Sequence, residues 1–64
     1  MKFVDKLSYD LRNGDVFLYN GCIMEVEEVK ITKDRTLIIA FDKKAPEAAV
    51  ILRLPVCWVQ VAAT

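Results

Sequence analysis

The sequence has no histidine, one serine (Ser8), two cysteines, two glycines and two prolines among its 64 residues. Each shortage removes a class of chemistry. Without histidine there is no Ser–His or Cys–His pair to activate a nucleophile. Cys22 and Cys57 alone do not supply the four ligands of a structural zinc site, so no metal or other cofactor is expected. Both glycines follow an asparagine, which marks turns and leaves none for a phosphate-binding loop. The opening MKFVDKL carries charge where a secretory signal would be apolar, and the longest apolar runs are too short to span a bilayer. The expectation is a cytoplasmic, non-enzymatic protein whose two thiols are reduced and buried, with no membrane association.

Net charge is also missing: nine basic side chains balance nine acidic ones, with a pI near 6.1. That balance argues against duplex DNA as a partner, because non-specific DNA binding is driven by counterion release at many phosphate contacts. Glu25 and Glu27 alternate on what reads as a strand face, and their expected role is solubility rather than acid–base work.

What the chain has in excess is apolar character. Hydrophobic residues make up 55% of it, more than one small core readily absorbs. A domain this small gains little net stability from its core alone. Self-association or a protein partner is therefore expected to take up the surplus.

The clearest local signal is DVFLYNGCIMEV. Asn20-Gly21 between alternating apolar arms predicts a type I′ hairpin joining Asp15–Tyr19 to Cys22–Lys30. In the second arm Met24 and Val26 share a face, but Val29 and Ile31 fall out of phase. One extra residue at Glu27 or Glu28 restores the phase, which predicts a β-bulge. Asn13-Gly14 and Thr32–Arg35 read as turns, and TLIIAFD as a strand. Lys43–Ala49 reads as a loop or as one turn of helix. VILRLP and VCWVQVA are strands separated at Pro55, which cannot donate to a ladder. The first ten residues have no clear state. The chain reads as one all-β domain over 1–64: a small five-stranded antiparallel barrel.

Two segments carry a resemblance. DLRNGDVFLYNGCIMEV resembles the strand entry of SH3-like barrels, and RLPVCWVQV resembles their ending, in which a Pro turn precedes the closing strand. The NGD…YNG…EV run is also similar to the KOW-like N-terminal barrel of elongation factor P, with ITKDRT in place of the Gly-rich loop. The aromatic first strand and acidic loop of peptide-binding SH3 domains have no counterpart. The resemblance implies an SH3-like barrel fold and no particular activity.

Two functions follow as expectations. In the first, the chain is an interaction module that binds a protein or itself. Val16, Leu18, Val59 and Val61 then face the core, while Phe17, Tyr19, Trp58 and Gln60 form an exposed, aromatic-rich patch. The same rings would alternatively cover a minor core under the N-terminal segment or the Lys43–Ala49 region. In the second, a KOW-like RNA or ribosome binder uses Lys30, Lys33, Arg35, Lys43 and Lys44 on phosphates. The small size also suits an accessory protein of a phage or mobile element.

Overall fold

A computed structural model describes residues 2–63. Among them are six strands and one 3₁₀ turn: β1 (Phe3–Leu7), the 3₁₀ turn (Ser8–Asp10), β2 (Val16–Tyr19), β3 (Cys22–Ile31), β4 (Thr36–Asp42), β5 (Ala45–Leu54) and β6 (Trp58–Ala62). The all-β, antiparallel class stands. The strands form a single sheet in the order β1-β6-β2-β3-β4-β5. Two details of the expectation are corrected. There are six strands rather than five, because the opening residues form β1 against β6. The sheet is also not a closed barrel, since β1 and β5 are its two edges. No helix among the described residues is long and apolar enough to cross a membrane.

A single sheet buries a core only by curling. The shortest principal dimension is 19 Å, about twice the thickness of one flat layer. The radius of gyration, 10.8 Å, matches the roughly 11 Å of a compact domain of this length. The sequence supplies the bend. The β3–β4 register shifts between Val26 and Glu28, so Glu27 is the extra residue of a bulge, as the phase break in MEVEEVKI predicts. A bulge bends its strand and increases the local twist. It also returns Val29 to the face of Val26, where it packs against the core.

The turns follow their residues. Asn20 (φ 48°) and Gly21 (φ 79°) both have positive φ, the requirement of a type I′ hairpin, and Tyr19 pairs with Cys22 across it. Lys43–Ala49 is neither helix nor free loop. Asp42 pairs with Ala45 and Phe41 with Ala49, so residues 46–48 form a bulge that accommodates Pro46 within β5.

The concave face carries Phe17, Met24, Val26, Ile38, Ala40, Leu54, Val59 and Val61, closed over by Leu11. Buried Ser8 fastens β1 to the β5–β6 turn. Its hydroxyl donates to the Pro55 carbonyl at 2.9 Å and accepts the Cys57 N–H at 3.4 Å, and its own N–H donates to the Cys57 carbonyl at 2.9 Å. Ser8→Ala leaves two of these backbone groups short of a partner. It is expected to cost about 1–3 kcal/mol, read as a lower urea midpoint with an unchanged slope. An unchanged midpoint would show that the clamp does not hold β1.

Candidate interaction surface

Alternation fixes what lies on the convex face. Since the concave face takes Phe17, Met24, Val26, Ile38 and Ala40, the opposite face takes Val16, Leu18, Ile23, Leu37, Ile39 and Phe41. The β4 strand TLIIAF is apolar on both faces, a pattern usual where both faces of a sheet are covered. Here only one face is. The convex residues shield one another in part through direct cross-strand pairs, Leu18–Ile23 and Ile39–Ile51 among them. They remain half-buried, and Ile51 is 66% exposed. Leu37, Ile39 and Ile51 floor a shallow depression of about 180 Å³, with Glu28 and Lys30 at its rim. Part of the compositional surplus of apolar residues lies on this face.

The expected aromatic patch does not assemble. Phe17 is completely buried and lies at the centre of the core. Tyr19 is half-buried and packs against it, with ring centroids 6.5 Å apart in an edge-to-face arrangement. The assignment of Val16 and Leu18 to the core and Phe17 and Tyr19 to the surface is therefore reversed. The cause is the hairpin register. A two-residue turn pairs Phe17 with Met24, and direct partners across a ladder share a face. Met24 is a core residue, so Phe17 is one as well. The signal was available in the sequence: Asn20-Gly21 sets the register, and MEVE shows which face of β3 is polar.

The other half of the patch is at the surface. On β6, Val59 and Val61 point into the core while Trp58 and Gln60 point outward. Trp58 is 68% exposed and stands opposite half-buried Leu7 of β1. Gln60 lies between Asp5 of β1 and Leu18 of β2.

The basic candidates are not brought together. Lys30 lies near one end of the β3–β4 ladder and Lys33 and Arg35 lie in the turn beyond it. Lys43 and Lys44 lie in the turn at the other end, roughly 20 Å of strand away. Lys43 is paired with Glu25 at 3.3 Å. Lys33 and Arg35 share a shallow depression with Tyr9, Ile31 and Val56, but Asp34 lies between them.

Neither cysteine is bonded. Cys57 is half-buried beside the core, as befits a packing residue, while Cys22 is exposed at the hairpin and so departs from the expectation of two buried thiols.

Comparison of the chain with protein families, with curated proteins and with solved structures gives no match. Its function has to be argued from its own surface.

Proposed function

We propose that the chain is a non-enzymatic interaction module, SH3-like in kind, that docks a protein partner on the convex face of β1 and β6 with Trp58 as the anchor. The observation that carries this reading is the exposure of Trp58 on a regular strand. Tryptophan is a costly residue to leave in water and is over-represented among residues that dominate binding energy. Leu7 beside it and Gln60 two residues on supply an apolar neighbour and a hydrogen-bonding rim, the anatomy of a small interface. The absence of histidine supports the non-enzymatic part, and so does the position of Ser8, whose hydroxyl is committed to backbone groups in a fully buried site. The SH3-like part rests on the Asn13-Gly14-Asp15 entry to β2, the bulged β3 and the Leu54-Pro55 turn before the closing strand.

Trp58→Ala is the test. Because the ring is mostly in water, the variant is expected to unfold within about 1 kcal/mol of wild type. As bait it should lose the proteins that wild type retains. A variant that unfolds would make Trp58 a packing residue, and one that retains the same proteins would remove it from the interface. Either result overturns the reading.

A further inference from the structure

We infer that the chain self-associates through the free edge of β5, two copies pairing antiparallel about a two-fold axis at Val50, with Glu47 of each copy opposite Arg53 of the other. This goes beyond the Trp58 surface and does not depend on it.

β5 is ladder-bonded on one side only, to β4. An open strand edge is a template for another strand, and soluble proteins guard such edges with charge, proline, bulges or brevity. The guards on β5 are confined to its ends: Pro46 and the bulge at one, Arg53 at the other. Between them Ala49, Val50, Ile51 and Leu52 form an uncharged run, and all but Leu52 are exposed. No segment among the described residues covers this edge.

The run fits a second copy of itself in one register. Antiparallel partners share a face, so an isologous pairing must match odd positions with odd and even with even. With the axis at Val50, Glu47 meets Arg53, Ala48 meets Leu52, Ala49 meets Ile51, and Val50 meets its twin. Opposite charges face each other at both ends of the contact, and each small alanine stands opposite a large aliphatic residue. Moving the axis to Ala49 sets Glu47 against Ile51. Moving it to Ile51 sets Arg53 against Ala49. Both alternatives leave the charges unmatched. Glu47 lies in the bulged segment that β4 does not hold, so it is free to align with a partner strand. The pairing also continues the convex apolar surface: Leu37 and Ile39 of one copy run through Ile51 to Ala49 of the next.

Sedimentation equilibrium on the full chain tests the register with two charge reversals. Wild type is expected to dimerise, giving about 14.6 kDa, twice the 7.3 kDa of one chain. Glu47→Arg opposes two arginines at each end, and Arg53→Glu opposes two glutamates. Each variant alone should dimerise about tenfold more weakly than wild type. Mixed in equal amounts, the two variants regain opposite charges at both ends of a heterodimer, and affinity should return to within about threefold of wild type. Both positions are exposed, so the fold should be retained, and circular dichroism checks that it is. Trp58→Ala should dimerise as wild type does, which separates this contact from the partner-docking surface. A monomeric wild type, single reversals without effect, or a mixture that fails to recover would each overturn the proposal.

Discussion

Phe17→Ala is expected to unfold the protein. The ring is completely buried and touches the strands on both sides of β2: Phe17 pairs with Met24 of β3 and with Val61 of β6. Removing a buried phenylalanine ring typically costs about 3–5 kcal/mol. A domain of this length has about 3–10 kcal/mol in total, and the small size of its core argues for the low end. The variant should lose its cooperative urea transition and its β-sheet circular dichroism. Phe17→Leu should stay folded with a lower midpoint, because it keeps most of the volume. A folded Phe17→Ala of wild-type stability would turn the ring outward and reverse the faces of the whole hairpin.

The next largest effect is expected from two adjacent substitutions on β6. Val61 is buried between Val4 and Phe17, its neighbours in the β1 and β2 ladders, whereas Gln60 is exposed one residue away. Val61→Lys places an ammonium where a valine is packed in the core, a cost of several kcal/mol that a domain this small does not survive. Gln60→Lys should change stability by no more than about 0.5 kcal/mol. Urea unfolding of the pair checks the alternation directly. Equal tolerance of both lysines would mean that β6 does not line the core.

These substitutions probe the places where local reading of the sequence succeeded and where it failed. Asn20-Gly21, the bulge at Glu27, the turn at Thr32–Arg35 and the break at Pro55 are written in neighbouring residues, and each appears where those residues place it. On β6 the alternation put Val59 and Val61 on one face and Trp58 on the other and left open whether Trp58 was exposed or covered; the structure exposes it. On β2 it chose the wrong face, because VFLY is apolar on both. The deciding information was the ladder to Met24, which requires two strands to be read together. β1 was invisible for a stronger version of the same reason. FVDKL has a weak pattern of its own and becomes a strand by pairing with residues 58–62, at the far end of the chain. The basic set failed similarly: Lys43 and Lys44 follow Lys30, Lys33 and Arg35 closely in sequence, but β4 runs between them and carries them to the other end of the sheet.

The apolar surplus is the thread connecting composition to function. A chain that is 55% hydrophobic, folded as one curled sheet, buries one face and leaves the other half-buried. That surplus reaches solvent at several places, among them the β5 edge, Trp58, and Ile31 and Val56 at one end of the sheet. A dimer through the β5 edge would be held chiefly by apolar contact, with only the Glu47–Arg53 pairs sensitive to salt.

Fluorescence of Trp58, the only tryptophan, reports whether the proposed docking anchor stands in water. If β6 turns its tryptophan outward, the native emission maximum and its quenching by iodide should lie close to those of the chain unfolded in urea. A strongly blue-shifted native spectrum that iodide does not quench would place the ring inside the protein and contradict the account.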